Sequence, residues 1–111
     1  MSVLLAYSTC PDAASADAIA RVLVDERLAA CVNRLPGVHS TYRWQGQVAQ
    51  ADEVLLLIKT TADRLDALTA RLRTLHPYEL PELIAVEACA GLPAYLDWVS
   101  AETTLPPSLG A

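Results

Sequence analysis

The chain of 111 residues contains no phenylalanine, one methionine and only three cysteines. Cys10, Cys31 and Cys89 include no CxxC pair, and their odd number argues against a disulfide framework. Free thiols fit a reducing, cytoplasmic compartment best. Positive charge is also scarce, with 8 Lys and Arg against 13 Asp and Glu and a formal net charge of −5. Those basic residues are scattered, whereas a nucleic-acid surface needs them clustered against phosphates. No nucleic-acid partner is expected. No apolar run approaches the roughly 18–20 residues of a membrane-spanning helix, so no membrane partner is expected either. The opening MSVLLAYSTCPDAA lacks the basic n-region of a secretory signal, and polar residues soon interrupt it.

Apolar residues, by contrast, are abundant. A composition 53% hydrophobic and 19% charged implies a folded chain, and the length suits one domain. Such a domain buries roughly two-thirds of its unfolded surface and needs no disulfide or structural metal. The domain is expected over residues 1–103, with a Pro-rich flexible tail over 104–111.

Val3 to Ser8 is a short apolar run bounded by TCPD and reads as a buried strand. Pro11 suits the first turn of a following helix, and Asp12 its positive end. Ala16, Ile19, Ala20 and Leu23 recur at helical spacing, which predicts a helix to about Leu28. Residues 31–60 then hold two extended runs joined by WQGQ. Val38, Ser40, Tyr42 and Trp44 alternate with His39, Thr41 and Arg43, with a kink or bulge expected at Pro36-Gly37 and a tight turn at Gln45-Gly46. A protruding hairpin is predicted.

Thr60-Thr61-Ala62-Asp63 has the spacing of a capping box. Leu65, Leu68, Leu72 and Leu75 follow on one helical face, and Pro77 ends that helix. A fourth strand is predicted over Leu83 to Cys89, and a short helix from Gly91-Leu92-Pro93 through Trp98. The order β-α-β-β-α-β plus a C-terminal helix is an α+β, ferredoxin-like sandwich. Its helices cover one sheet face. The other face should then be polar in a monomer, yet both faces are apolar: Val54, Leu56 and Ile58 lie opposite Leu55 and Leu57, Leu4 and Ala6 opposite Val3, Leu5 and Tyr7, and Ile84 and Val86 opposite Leu83 and Ala85. Leaving such side chains wet forgoes roughly 1.5–3 kcal/mol each, so neighbouring subunits or the third helix must cover them, and an oligomer is inferred.

The chemistry-bearing residues are few. His76, in RTLHPYELPELI, either closes the second helix, where a charged imidazole favours the dipole, or serves as a metal ligand. Neither CxxC nor HxxxH is present, so a metal site would have to be assembled in space. Cys10 stands at the mouth of the first helix, where a thiolate is favoured, or is a plain loop residue. Cys31 and Cys89 sit in apolar strand contexts and read as core, and His39 reads as exposed. Lys59 ends the run LLLIK; it either reaches solvent or faces a carboxylate such as Glu82. In the latter case Tyr42, Trp44, Tyr78 and Trp98 would line a small amphipathic pocket with it.

Five motifs occur in order: ERLAACVN, STYRWQGQV, Lys59-Thr60, HPYELPE and YLDW. Together, over residues 2–101, they resemble the CutA divalent-cation tolerance family. The resemblance implies a PII-like homotrimer of ferredoxin-like subunits, cytoplasmic and linked to tolerance of copper and other divalent cations. Its recurring residues fall on Cys31, Asn33, Tyr42, Trp44, Gly46, Lys59, His76, Tyr78, Pro81, Glu82 and Trp98. Of these, Cys31, Asn33, Tyr42, Trp44, Lys59, Tyr78, Glu82 and Trp98 are the expected lining of clefts between subunits. His76, with Cys10, is the candidate holder of Cu(II) or another divalent cation. Where some relatives carry a histidine pair this chain has Leu75-His76, and Ser8 stands where some carry a cysteine.

Two further readings stay open: a small-molecule or protein-binding module without a metal role, and an enzyme. No catalysis is expected. An acylphosphatase-like site needs a glycine-bearing loop with an arginine after the first strand, and STCPDAA has neither. A cysteine hydrolase would have only Cys10 and His76 to use.

Overall fold

The computed structural model describes residues 2–105. VLLAYSTC forms β1 (Val3–Cys10), two residues longer than its apolar run suggests, because Thr9 and Cys10 continue the pairing with the third strand. Asp12, not Pro11, starts the first helix α1 (Ala13–Asp25): its side chain accepts the Ser15 N–H at 2.8 Å from extended backbone. Pro11 lies outside the cap. The helix stops short of Leu28 because Arg27 turns left-handed, at φ 57°, and the amides of Leu28 and Ala29 both bond the Leu23 carbonyl. Leu28 is buried all the same.

β2 (Cys31–Trp44) and β3 (Gln47–Thr61) form the predicted hairpin. Gln45 and Gly46 both have positive φ, 51° and 80°, as the twist of a two-residue hairpin turn requires. A register shift between Leu35 and Val38, with Gly37 at φ 81°, marks the bulge at Pro36-Gly37. β1 pairs only with Val54–Thr61 of β3. Residues 38–44 and 47–53 therefore project beyond the sheet as a two-stranded arm about 23 Å long at ~3.3 Å per residue. The subunit is correspondingly elongated, 47 × 29 × 23 Å.

The capping box after β3 does not form. The Thr60 hydroxyl donates to the Leu28 carbonyl at 2.7 Å, and that of Thr61 to Asp63 Oδ1 at 2.6 Å. A single 3-10 turn over Ala62–Arg64 leads instead into α2 (Leu65–Leu75). Leu68 and Leu72 of its leucine stripe are fully buried. The fourth strand β4 is only Ile84–Glu87, because pairing with β1 ends at Glu87 opposite Leu4. Helix α3 (Pro93–Thr103) begins on Pro93, whose missing N–H costs nothing there.

The four strands are all antiparallel in the order β2-β3-β1-β4, the ferredoxin-like arrangement. Ala6, Cys10, Leu56 and Ile58 face α1 and α2 and join Ile19, Leu23, Leu68 and Leu72 in the main core. A second, smaller cluster of Val3, Ala30 and Val99 shows where α3 packs. The Thr61 and Thr103 hydroxyls meet at 3.3 Å beside it. Val3 and Thr61 belong to the sheet face turned away from α1 and α2, so α3 covers one end of that face. The rest stays open: Leu35 is 41% exposed, Val86 46% and Ile84 60%. Most of the tail expected over 104–111, residues 106–111, lies outside the described residues.

Candidate ligand sites on the open sheet face

Pairing register sorts the candidate residues. Cys31, Lys59, Leu5 and Val86 form one row across the four strands on the open face. Asn33, Leu57, Tyr7 and Ile84 form the next row. Lys59 Nζ donates to Asn33 Oδ1 and stands 3.9 Å from Cys31 Sγ. Of the two alternatives for Lys59, the pair with Glu82 is not made. Glu82 is exposed ahead of β4, and no carboxylate pairs with Lys59 among the described residues. Cys31 is half-buried and Cys89 exposed, so neither belongs to the core, which corrects the sequence reading.

The first turn of α3 brings Tyr95 to this group, a residue the sequence reading did not single out. Tyr95 and Trp98 stack at 5.6 Å between ring centroids. Burial, followed by the nearby Cys31 sulfur, raises the Tyr95 phenol above its ordinary pKa. Its i, i+3 spacing from Trp98 was the available signal.

A second group lies six residues along β3. Glu53 is 8% exposed and accepts the Tyr78 hydroxyl on Oε2 at 2.8 Å. Desolvation, then the bond to Glu53 and its charge, push the Tyr78 phenol well above its usual range. Glu53 was missed. An acid on the same strand face as Leu55 and Leu57 was the signal. The shift at Pro36-Gly37 places Val38 opposite Glu53 and Tyr42 opposite Ala49, so Tyr42 and Trp44 continue the open face along the arm. Tyr42 is close enough to Tyr78 to raise it further. The candidate lining is thus split in two within one subunit, with Lys59 and Glu53 about 20 Å apart along the strand.

His76 is buried at the end of α2, its amide still bonded to the Leu72 carbonyl at 2.9 Å. Its Nε2 lies 2.8 Å from the Thr9 carbonyl, and its Nδ1 accepts the Tyr78 N–H at 3.1 Å. A carbonyl accepts only from N–H, and an amide donates only to a lone pair. The ring is therefore the neutral Nε2–H tautomer with both nitrogens engaged. Its ring also packs against Tyr78 at 4.8 Å. Coordination of a metal by His76 would require breaking one of these bonds.

Cys10 Sγ lies 3.8 Å from His76 Nε2. Being the last residue of β1 and fully buried, it is not a loop thiolate. Burial, then the charges of Asp12 and Glu53, raise its pKa to about 11. His39, exposed as expected, bonds Asp52 at 2.7 Å on the arm. Among the described residues, no three of His, Cys, Asp or Glu are gathered so as to hold a metal ion. No described helix is long and apolar enough to cross a membrane.

The model of the CutA1 divalent ion tolerance protein family matches residues 4–102. The chain belongs to that family. The divalent-cation tolerance protein CutA of Thermus thermophilus is 48% identical over 86% of this chain and 92% of its own length. The longer Mus musculus protein CutA is 47% identical over 88% of this chain, which spans only 55% of that relative. Among solved structures, CutA from Xylella fastidiosa superposes with a TM-score of 0.91 at 56% identity, covering 94% of this chain and 100% of the other. The Thermus thermophilus relative and that of Pectobacterium atrosepticum are both named as divalent-cation tolerance proteins.

Proposed function

We propose that the chain works as a homotrimer in divalent-cation tolerance, taking metal ions or a small ligand in clefts between subunits. The observation that carries this reading is the apolar sheet face left open by α3. Leu35, Ile84 and Val86 are each more than 40% exposed there, and the face runs on to Tyr42 and Trp44 on the arm. Sheet faces of this kind are covered in solution, and a projecting hairpin suits reaching across to a neighbour. Assembly would also bring the two groups of candidate residues, distant within one subunit, near each other across a subunit boundary. The free thiols suit a reducing compartment such as the cytoplasm.

A metal such as Cu(II) would draw its ligands from more than one subunit in this reading, since the described residues of one chain gather too few. The engaged nitrogens of His76 favour a second reading, a small-ligand module without a physiological metal. Native mass spectrometry of tag-free protein, with and without a slight excess of Cu(II), separates the two. A trimer that takes up copper in a stoichiometric count, lowered by His76→Ala, supports the metal reading. A trimer that takes up none supports the second. A monomer overturns the homotrimer in both readings.

A further inference from the structure

Lys59 is the only lysine of the chain, the other seven of its 8 basic residues being arginines. Its side chain is partly buried. It rises from the open sheet face between Cys31 and Leu5, with Val86 one strand further. A lysine rising from an apolar sheet face is commonly matched by a carboxylate, and here its partners are a carboxamide and a thiol. Asn33 must turn Oδ1 toward the ammonium, which only donates, and this leaves Nδ2 as a second donor beside it. The Tyr95–Trp98 pair of α3 stands next to this group, each ring about two-fifths exposed.

We propose that Lys59 is the anion-recognising group of the cleft, and that its ligand is an organic carboxylate with a flat apolar body. The inference rests on the small-ligand reading above. One ammonium and one carboxamide match the single charge and two oxygens of a carboxylate. A phosphate dianion is usually held by an arginine fork or several backbone amides, and this group includes no arginine. Leu5 offers an apolar floor, and Tyr95 with Trp98 an aromatic wall, for the ligand's body.

The single lysine makes the test direct. Protein labelled with 15N,13C-lysine gives one set of lysine side-chain signals, to be followed while benzoate or inorganic phosphate is added at constant ionic strength. Benzoate should move the Lys59 signals saturably and phosphate should not. Benzoate affinity, followed by Trp98 fluorescence in a Trp44→Phe background, should fall about tenfold or more in Lys59→Met, the loss of one charge-assisted hydrogen bond. The labelled wild-type titration stands even if that variant fails to assemble. The inference is overturned by silent lysine signals at millimolar benzoate, by equal shifts with phosphate, or by unchanged affinity in Lys59→Met. Native mass spectra of the same samples keep the two readings apart. A trimer with silent signals removes only the carboxylate, whereas a monomer with saturable shifts keeps the carboxylate site and removes the trimer.

Discussion

Tyr78 and Glu53 tie the turn after α2 to the root of the hairpin arm through a 2.8 Å hydrogen bond. The carboxylate is buried, and the phenol is the only hydrogen-bond donor the described residues give it. Tyr78→Phe keeps the ring against His76 and removes only the donor. Losing a hydrogen bond to a buried charge costs about 1.5–3 kcal/mol. Urea unfolding of Tyr78→Phe should show that loss, while Tyr78→Phe combined with Glu53→Gln should recover part of it. Equal stability of wild type and Tyr78→Phe would mean that Glu53 is satisfied by other means.

Cys10 sets a pH limit on stability. Its folded pKa is raised from 9.0 to about 11, so the folded state holds the thiol proton more tightly than the unfolded chain. The stabilisation is therefore complete below pH 9 and declines as pH rises through 11. Tyr78, raised in the same direction, adds to the decline at still higher pH. Denaturation midpoints measured from pH 8 to 11 should fall for wild type, and fall less steeply for Cys10→Ala. In the native protein at neutral pH, an alkylating reagent should modify exposed Cys89 well before Cys10. Fast labelling of Cys10 would contradict its burial.

The hairpin turn carries avoidable strain. Gln45 holds φ 51° although its side chain gains nothing there that asparagine would not, and asparagine tolerates the left-handed region better. Gln45→Asn should stabilise by several tenths of a kcal/mol, up to about 1. Gly46→Ala should destabilise by about 1–2 kcal/mol through its φ of 80° alone, since an added Cβ would meet no atom within 4 Å. Thermal melts of the two variants moving in the same direction would refute this account.

Most of the fold was legible because the governing signals are local or periodic. Alternation separated the two sides of β3, as Leu56 and Ile58 against Leu55 and Leu57 show, although Cys31 of β2 read as core and lies on the open face. The turn at Gln45-Gly46 and the bulge at Pro36-Gly37 have backbone requirements that few residues meet. Misreadings arose where a local motif competed with a longer-range partner. Thr60 resembles a cap residue, but the Leu28 carbonyl, distant in sequence, claims its hydroxyl. Cys10 resembles a loop residue until strand pairing with Val54 buries it. The site was less legible for the same reason. Lys59 is bonded by Asn33 from the neighbouring strand, not by Glu82 ahead of β4. Glu53 acquires its meaning only when Tyr78 folds over it.

Val86 offers the sharpest check on the open face. It is 46% exposed in the subunit, and Ala85 and Glu87, its strand neighbours, point the other way. A lysine at 86 would leave the main core untouched, because no residue of that core lies on this face. In an isolated subunit the substitution should change stability by less than about 0.5 kcal/mol, as for surface sites generally. In a trimer with this face covered, an unpaired ammonium must be desolvated, at a cost of several kcal/mol per subunit. Val86→Lys should therefore shift light-scattering mass after size exclusion from three chains to one, with the helical circular dichroism retained. An unshifted mass would mean that the apolar face is covered by something other than a second copy, and the argument from Leu35, Ile84 and Val86 to a homotrimer would fall.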